Sequence, residues 1–486
     1  MSHGSQSARA LRAGLSHPVI DADGHWIEYG PHLARELKRI GGDAARDGFL
    51  HFGRRITETL KMGLDGRRET RHGQEAWWVL PTRNTRDRAT VMMPNLLRER
   101  LDEFGIDFAV LYPTAGLGLP QVPDAAARRA VCHAYNEYAA EFFADHADRM
   151  TPAAVIPMHA PEEAVAELEH AVALGLKTVM MGSLIRRPIP ALAKRSPDLA
   201  AEFPWLDVLG LDSPCDYDPV WRRCLELGIS PAFHSNGRGR AFGLRNAVSN
   251  FVYNHIGHFA AASEAVCKAL ILGGVTNRFP GLKFAFLEGG VGWACQLYSD
   301  LLGHWEKRNL EALGDIDPDN LDEDGLMDYA RRYAGEGLLA EMEARARRSA
   351  AVGRAPTPEE GLDDFAACGF ATADDLVRQF TDSFYFGCEA DDPMNAWAFS
   401  RANLPHGVQL KTLFGSDIGH FDVPDMAGVL PEAYELVEDG LIGGDDFRGF
   451  VFGNAVRFLS ENKRDFFAGT RVADAVSAYW KAADGA

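Results

Sequence analysis

Three polar residues at alternate positions follow an apolar run near the start of the chain and could bind a metal ion. They are Asp21, Asp23 and His25, within the segment VIDADGHWIEYG. Alternate side chains of a β-strand point to the same side, so two carboxylates and an imidazole would face one space. Carboxylate oxygens and imidazole nitrogens are ligands of divalent cations. The spacing therefore predicts a metal site at the end of a first strand, while a merely solvated strand end would have the same composition.

Histidines and carboxylates also end four later apolar segments. These are His234 in AFHSNG, Glu288 in FAFLEGG, Glu389 in FGCEADDP and Asp417 in LFGSDIGH. One such residue means little, because a lone histidine is more often a hydrogen-bonded core or surface group. Parallel strands closed into a barrel bring their carboxyl ends to one face. We therefore expect these groups to meet Asp23 and His25 at that face.

The elements that would position these residues alternate regularly along the chain. Eight short apolar segments, separated by helical patterns, lie near Val19, Phe108, Ala153, Thr178, Ala232, Phe284, Phe384 and Thr412. Apolar strands of this kind are typical of buried parallel sheets. Eight strand–helix units predict an α/β protein, a (β/α)8 TIM barrel. A doubly wound sheet is the alternative, but no GxGxxG lies between a strand and a helix, which disfavours its nucleotide-binding form.

The barrel is expected to form a single domain over residues 17–480 of the 486-residue chain. Residues 1–16 are polar and predict a flexible N-terminal tail. Two irregular, charged stretches, at about 31–96 and 311–381, are interpreted as insertions, and a helical C-terminal tail follows the last strand.

Composition restricts the partners. The chain has 50 Lys and Arg against 69 Asp and Glu, a formal charge of −19, which argues against nucleic acid or an anionic membrane as a partner. No apolar run reaches the ~20 residues of a membrane span. The seven cysteines form no CxxC pair, so neither a disulfide framework nor a zinc knuckle is expected. A reducing, cytoplasmic setting and a small-molecule substrate fit these features.

Several segments together are similar to a known family. VIDADGH, FAVLYPT, AFHSNG, FAFLEGGVGW, LFGSD and the later FGNAVRF resemble the amidohydrolase-related family of the metal-dependent hydrolase superfamily. This branch includes aminocarboxymuconate semialdehyde decarboxylase and aromatic acid decarboxylases such as γ-resorcylate decarboxylase. The resemblance runs from about Val19 to Phe467, with the two insertions outside it. It implies a TIM barrel, one catalytic divalent metal and a homodimer or higher homo-oligomer.

The resemblance also implies roles for particular residues. The metal ligands fall on Asp23, His25, His234 and Asp417, and Asp417 is also the acid/base group. Many members have a histidine at the place of Glu288, which could instead accept a proton, bind the metal or hold a water molecule. We therefore expect Asp417, Glu288 and His234 to be catalytic. Zn²⁺ suits mixed nitrogen and oxygen ligands, and Mn²⁺ is the alternative because two carboxylates harden the site.

Further residues are expected around the metal. Candidate substrate-binding residues are Trp26, Tyr112, His258, Glu389 and His420. Each has a plain alternative role in packing or surface polarity. Asp21 is interpreted as a buried polar anchor that supports the ligands.

The first-strand Asp-Gly-His, in place of His-x-His, favours a mononuclear metal-dependent lyase. Its reaction would be the non-oxidative decarboxylation of an aromatic or unsaturated carboxylic acid. The alternative enzyme is a hydrolase that cleaves an amide, a lactone or a 1,3-dicarbonyl carbon–carbon bond with metal-bound hydroxide. A different class is an inactive barrel that serves as a binding protein, which would bind no metal.

Overall fold

The computed structural model describes residues 6–74, 83–234, 247–352 and 363–485, so parts of both expected insertions lie outside the described residues. Eight parallel strands form one sheet, with hydrogen-bonded neighbours in this order: β1 (Ile20–Trp26), β2 (Phe108–Pro113), β3 (Met150–Ile156), β4 (Thr178–Gly182), β7 (Pro231–His234), β8 (Phe284–Phe286), β9 (Phe384–Glu389) and β10 (Lys411–Gly415). Between β4 and β7, an antiparallel pair is formed by β5 (Ile185–Arg187) and β6 (Trp205–Asp207).

The sheet nearly closes into a barrel where its first and last strands meet. Just past the strand ends, the Asp417 amide donates to the Asp23 carbonyl at 3.0 Å, and the His25 amide donates to the Ile418 carbonyl at 3.2 Å. The two backbone hydrogen bonds join β1 to the segment that follows β10. The barrel therefore closes at its carboxyl end, beside the candidate ligands.

Helices surround the sheet. Their bounds are α1 (Ala8–Gly14), α2 (Gly30–Lys61), α3 (Leu64–Thr70), α4 (Thr85–Met92), α5 (Pro94–Phe104), α6 (Ala125–Phe143), α7 (Pro161–Ala173), α8 (Pro190–Ala193), α9 (Pro197–Glu202), α10 (Asp218–Leu227), α11 (Phe251–His255), α12 (His258–Leu272), α13 (Val275–Arg278), α14 (Gly292–Arg308), α15 (Glu323–Tyr333), α16 (Glu336–Val352), α17 (Ala373–Ser383), α18 (Asn395–Phe399), α19 (Val429–Glu438), α20 (Gly444–Arg448), α21 (Asn454–Ser460) and α22 (Ala473–Asp484). Short 3-10 helices span Gly116–Gln121, Ala144–His146, Ala312–Asp315, Pro318–Asn320, Ala366–Cys368 and Pro405–Gly407, and a π-helical turn spans Gly449–Gly453.

The local sequence explains where the helices begin and end. α6 begins after Asp124, whose carboxylate accepts the Ala127 amide at 2.8 Å and so caps the first turn. α7 begins at Pro161, whose missing N–H costs nothing at that position. α5 ends at Gly105, which has φ 73°, a left-handed conformation that glycine adopts without strain.

The expected barrel is confirmed. Each of the eight predicted strand positions lies in or next to an observed parallel strand, and the hydrogen-bonded order follows the chain, so the doubly wound alternative is wrong. The C-terminal tail is helical, as predicted. No helix in the described ranges is long and apolar enough to cross a membrane.

The expected flexible tail needs a correction. Residues 8–14 form α1, in which Ala8 and Leu11 are buried against the core. Arg12 pairs with the carboxylate of Asp107, and that carboxylate also accepts the Val19 amide at 2.8 Å. The prediction considered only polarity, whereas two apolar residues and one ion pair are enough to dock this helix.

Candidate metal centre at the barrel mouth

The strand β1 contains an irregularity within the Asp-x-Asp-Gly-His segment. Asp21 pairs with Ala109 and Gly24 pairs with Leu111. β1 therefore advances by three residues where β2 advances by two, and the extra residue forms a bulge. Such bulges occur next to active sites, where they redirect side chains. A Cβ at Gly24 would lie only 2.5 Å from Asp21 Oδ2. Glycine is therefore required at position 24 for the Asp21 carboxylate to turn inward.

The Asp21 carboxylate organises the seam between β1 and the end of β10. Oδ1 accepts the amides of Ser416 and Asp23 at 3.0 and 3.2 Å, and Oδ2 accepts the Ser416 hydroxyl at 2.6 Å. Burial raises the pKa of Asp21 to about 6, while these hydrogen bonds oppose the rise. Asp21 thus connects the strand that carries Asp23 to the segment that carries Asp417.

The His25 ring is held in the orientation that a metal ligand needs. It is fully buried, and Nδ1 lies 3.2 Å from the Pro113 carbonyl at the end of β2. A carbonyl can only accept, so Nδ1 carries the hydrogen and Nε2 presents its lone pair. Burial, with His420 nearby, lowers the pKa of His25 to about 3, which keeps the ring neutral.

Both expected catalytic carboxylates lie at strained backbone positions. Glu288 has φ 55° and Asp417 has φ 45°, in the left-handed region that residues other than glycine seldom adopt. This strain costs of order 1–3 kcal/mol per residue and is concentrated at functional sites. It turns both side chains from the ends of β8 and β10 toward His25.

Six side chains converge on one space. The shortest separations are 3.1 Å from His25 Nε2 to Glu288 Oε1, 3.2 Å from His234 Nε2 to Glu288 Oε1, 3.4 Å from His25 Nε2 to His234 Nε2, 3.5 Å from His25 Nε2 to Asp417 Oδ1, 3.7 Å from His25 Nε2 to Asp23 Oδ1 and 2.7 Å from His420 Nδ1 to Asp417 Oδ1. Metal–ligand bonds of about 2.0–2.2 Å place neighbouring ligand atoms roughly 3.0–3.6 Å apart. The spacing therefore suits one ion among these atoms.

The chemistry of the donor set also fits a cation. Asp23 Oδ1, Glu288 Oε1 and Asp417 Oδ1 are buried and accept no hydrogen bond of acceptable geometry, although nitrogen atoms lie close to them. A buried carboxylate oxygen without a partner is costly. A divalent ion bound by three carboxylates and neutral imidazoles would remove that cost.

The charges of this cluster are strongly coupled. Burial raises the pKa of Asp23 and of Asp417 well above the usual range, and the Glu288 carboxylate raises both further. Burial alone would raise the pKa of Glu288 as well, but the neighbouring His234 holds it well below its usual value. Such mutual perturbation of titratable groups in one cleft is typical of functional sites.

Two of the five expected substrate-binding residues lie beside this cluster. The Tyr112 ring lies 6.3 Å from the His25 ring and 6.1 Å from the His234 ring. His420 is closer still, because its ring lies 4.0 Å from that of His25 and its Nδ1 contacts Asp417. Position and donor type make His420 a candidate ligand or proton carrier, beyond the role that we expected.

The other three have different surroundings. Trp26 faces α6, where it packs on Tyr135 and Phe143 and lines a separate apolar cavity of about 380 Å³. His258 packs on Phe259, whose ring lies 5.9 Å from that of His234. At the end of β9, burial and then the acidic Asp422 raise the pKa of Glu389 to about 8. The structure thus places Trp26 on the opposite face of β1 from His25. It places Glu389 near enough to the cluster to add to the rise that burial causes in the pKa of Asp417.

Sequence reasoning missed the residues that position the loop after β2. The carboxylate of Glu28 accepts the amides of Ala115 and Gly116, each at 2.8 Å, and the Tyr135 hydroxyl at 2.6 Å. Thr114, in the same loop, lies 3.3 Å from His420 Nε2 through its hydroxyl oxygen. The sequence feature that could have indicated this role is the position of Glu28, three residues after His25, in a segment that also contains the candidate ligands.

Comparisons with known proteins agree with the fold. A family model described as amidohydrolase matches residues 20–334, more than half of the chain. Among solved structures, an amidohydrolase from Mycobacterium avium subsp. paratuberculosis K-10 is similar over 92% of this chain and 99% of its own, at 17% identity and a TM-score of 0.50. This likeness shows the shared fold.

Two further structures are similar at slightly lower scores. A dihydroxybenzoic acid decarboxylase from Polaromonas sp. JS666, with bound manganese and the inhibitor 2-nitroresorcinol, covers 93% of this chain and 99% of its own, at 15% identity and a TM-score of 0.49. A 5-carboxyvanillate decarboxylase from Sphingomonas paucimobilis covers 91% and 99%, at 15% identity and a TM-score of 0.46. A search of the curated proteins finds no match. On the match of the family model, the chain belongs to the amidohydrolase family.

Proposed function

We propose that this protein is a mononuclear metal-dependent lyase that decarboxylates an aromatic or unsaturated carboxylic acid without oxidation. The observation that carries the proposal is the position of Asp417. Its carboxyl group lies in the cluster, 3.5 Å from His25 Nε2, and 2.7 Å from His420 Nδ1. A group that must protonate a carbon atom needs such a partner to renew its proton.

The residues divide into ligands and proton carriers. The ion would be held by Asp23, His25, His234 and Asp417. Glu288 would supply a fifth donor, because its Oε1 lies 3.1 Å from His25 Nε2 and 3.2 Å from His234 Nε2. A bound divalent cation would supply positive charge to hold the substrate carboxylate and an adjacent oxygen. Zn²⁺ suits the imidazoles, and the three carboxylates also suit Mn²⁺.

The chemical step balances with groups of this chain. The protonated Asp417 carboxyl donates its proton to the substrate carbon that bears the carboxylate. The bond from that carbon to the carboxylate breaks, its electron pair stays with the ring or alkene, and carbon dioxide leaves. Asp417 then regains a proton through His420, whose Nε2 faces the Thr114 hydroxyl. Buried walls such as Tyr112 exclude water from the reacting carbon.

The test uses protein reconstituted with Zn²⁺ or Mn²⁺ and a panel of hydroxybenzoates and unsaturated acids in deuterated water. We expect release of carbon dioxide and one deuterium at the carbon that lost it. Chelation of the metal should abolish turnover. Absence of turnover on every acid, with hydrolysis of a diketone instead, would contradict the proposal.

A hydrolase is the second candidate, because the family description concerns amide hydrolysis and the same Asp417 carboxylate could remove a proton from water. The panel therefore includes 1,3-diketones, lactones and amides, with ¹⁸O-labelled water. Label in the product supports the hydrolase. Label-free product together with carbon dioxide supports the lyase.

A further inference from the structure

A second cluster of metal-ligand side chains lies outside the barrel, between α6 and α7. His133 and Glu137 are four residues apart on α6 and therefore share one face of that helix, and His170 lies on the neighbouring α7. None of these residues belongs to the site at the barrel mouth. We refer to these three residues as the helix-pair cluster.

The distances in the helix-pair cluster suit one ion. Glu137 Oε1 lies 3.5 Å from His133 Nε2 and 3.7 Å from His170 Nε2. A tetrahedral Zn²⁺ with bonds of about 2.0–2.1 Å places its ligand atoms roughly 3.3 Å apart. Shifts of a few tenths of an ångström would bring Glu137 Oε1 to this distance from both nitrogen atoms, and all three donor atoms lie within 4.8 Å of one another. Two histidines and one glutamate are also a donor set that Zn²⁺ uses elsewhere.

The contacts around the cluster turn a ring nitrogen of each histidine toward Glu137. His133 Nδ1 lies 3.3 Å from Glu167 Oε2, a carboxylate that can only accept, so Nδ1 carries a hydrogen and Nε2 is the atom that faces Glu137. A bound Zn²⁺ would take the place of a proton between Nε2 and the Glu137 carboxylate. His170 Nε2 is buried and has no hydrogen-bond partner. A carboxylate behind a histidine is the usual support of a zinc ligand.

The supporting Glu167 is itself fixed. Its Oε1 accepts the Asn136 side-chain amide at 2.7 Å, and Asn136 also bonds both backbone groups of Val155 in β3, at 2.8 and 3.0 Å. One turn away, the buried pair of Arg128 and Glu163 joins α6 to α7 through two bonds of 2.9 Å. The two helices that carry the ligands therefore cannot easily separate.

The imidazole rings are held unusually close. The His133 and His170 rings stack at 3.5 Å between centroids with 19° between their planes. Two charged rings would repel at this distance, so at least one ring must be neutral. Because stacked rings direct their in-plane lone pairs nearly parallel, one ring would turn out of the stack when both Nε2 atoms bind the same ion. The His133 side chain is half exposed, which gives an ion a path from solvent.

We propose that His133, Glu137 and His170 form a second zinc site, which links α6 to α7 on the outside of the barrel. Three protein ligands leave one position for water or for a donor from another molecule. Glu167 is the positioning residue that orients His133. This site does not depend on the reaction proposed for the barrel mouth.

The test counts metal ions in the full-length protein. Protein stripped by a chelator is titrated with Zn²⁺ by calorimetry, and bound zinc is then measured by elemental analysis. We expect two ions per chain for the wild type and one each for His170→Gln and Asp417→Asn. The ion retained by Asp417→Asn should also raise the melting temperature of that variant.

Matched controls separate this site from general surface binding. His304→Gln changes an exposed helical histidine whose ring bonds a backbone carbonyl, and it should keep two ions. Glu167→Gln should weaken the outer site about 10–100-fold without changing the number of ions at the mouth. Glu137→Gln should act like His170→Gln, and far-ultraviolet circular dichroism verifies that each variant folds.

The outcomes are distinguishable. Two ions in both His170→Gln and Glu137→Gln would overturn the second site, as would equal weakening by His304→Gln. A wild type that binds one ion, lost in His170→Gln but kept in Asp417→Asn, would support the outer site and contradict the metal at the mouth. A wild type that binds one ion, lost only in Asp417→Asn, would support the metal at the mouth and contradict the outer site.

Discussion

Charged side chains make different contacts at the two ends of the barrel. At the amino end, basic side chains stand directly before the strands and each has a partner. Arg149 donates to the carbonyls of Asp107 and Ile106 at 2.9 Å each, and Lys283 pairs with Glu461 at 3.3 Å. Lys177 donates to the Phe466 carbonyl at 2.8 Å.

At the carboxyl end, the ion-pair partners of the buried carboxylates in the cluster are histidines. Asp23, Glu288 and Asp417 each keep an oxygen without a hydrogen bond, and two of them have left-handed backbone angles. Removing one partner of a buried charged contact is strongly destabilising, whereas crowded carboxylates and backbone strain are costs that a folded protein retains where they serve a function. The contrast indicates that contacts at the amino end stabilise this barrel, whereas the carboxyl end has the features expected of a functional site, which is where barrel enzymes have theirs.

The largest expected effect is at the carboxyl end. Asp417→Asn removes the acid and one metal ligand, so we expect kcat/KM to fall about 10²–10⁴-fold. Because asparagine keeps the size of the side chain and removes a carboxyl group whose ionisation burial disfavours, the free energy of unfolding should not fall. Steady-state kinetics of the metal-loaded protein measure kcat/KM, and urea denaturation of the metal-free protein measures the free energy of unfolding. Asp425→Asn changes an exposed carboxylate on the same segment and should alter neither.

Arg149→Leu tests the amino end. The guanidinium is buried, and its loss leaves the carbonyls of Asp107 and Ile106 without their side-chain donor, while the Asp102 carboxylate keeps Arg471 as a partner. We expect a loss of about 3 kcal/mol in unfolding free energy. Metal content and kcat should stay at the wild-type values. Arg35→Leu, at an exposed pair with Glu36, should cost less than about 0.5 kcal/mol. Loss of metal in Arg149→Leu would break the proposed division between the ends.

Gly24→Ala should lower both the free energy of unfolding and the affinity for metal at the barrel mouth. The new methyl group would lie 2.5 Å from Asp21 Oδ2 and would displace the carboxylate that joins Asp23 to Ser416. We expect about 1–3 kcal/mol of destabilisation and weaker metal binding at the mouth. Gly303→Ala, where a Cβ meets nothing within 4 Å in α14, should be neutral or stabilising. Equal effects of the two substitutions would contradict the close approach at Gly24.

The smallest effect concerns pH. Burial, and then the nearby Lys283, lower the pKa of Lys411 to about 8 from its ordinary value of 10.5. Between these values the unfolded chain binds more protons than the folded one, so the unfolding free energy should rise as pH rises from 8 to 10.5. Below pH 8 the cost of burying the charge is fully present. Lys411→Met should remove this rise and add on the order of 1 kcal/mol at pH 7.

Denaturant midpoints at pH 7, 8, 9 and 10 measure that slope. Lys268→Met, at an exposed pair on α12, is the control and should retain the slope of the wild type. A slope that Lys411→Met leaves unchanged would assign the pH dependence to another group.

Strand positions were predictable because a buried parallel strand is apolar throughout and is bounded by polar residues or glycine. Each strand end with a histidine or carboxylate could be read directly, and His25, His234, Glu288 and Asp417 do meet. The same alternation applies to Trp26, which follows His25 directly and therefore projects to the other side, toward α6. The expectation that Trp26 binds substrate did not take this alternation into account.

The sequence by itself determined the barrel and the donor types at its mouth, because both depend on local patterns of apolar runs and polar ends. Only the tertiary structure decided how those donors are aimed. The bulge at Gly24, the left-handed angles of Glu288 and Asp417, and the Pro113 carbonyl behind His25 arise from contacts between distant strands. The helix-pair cluster depends on such contacts as well. Its residues are ordinary helical positions in sequence, and only the packing of α6 on α7 brings His133 to His170.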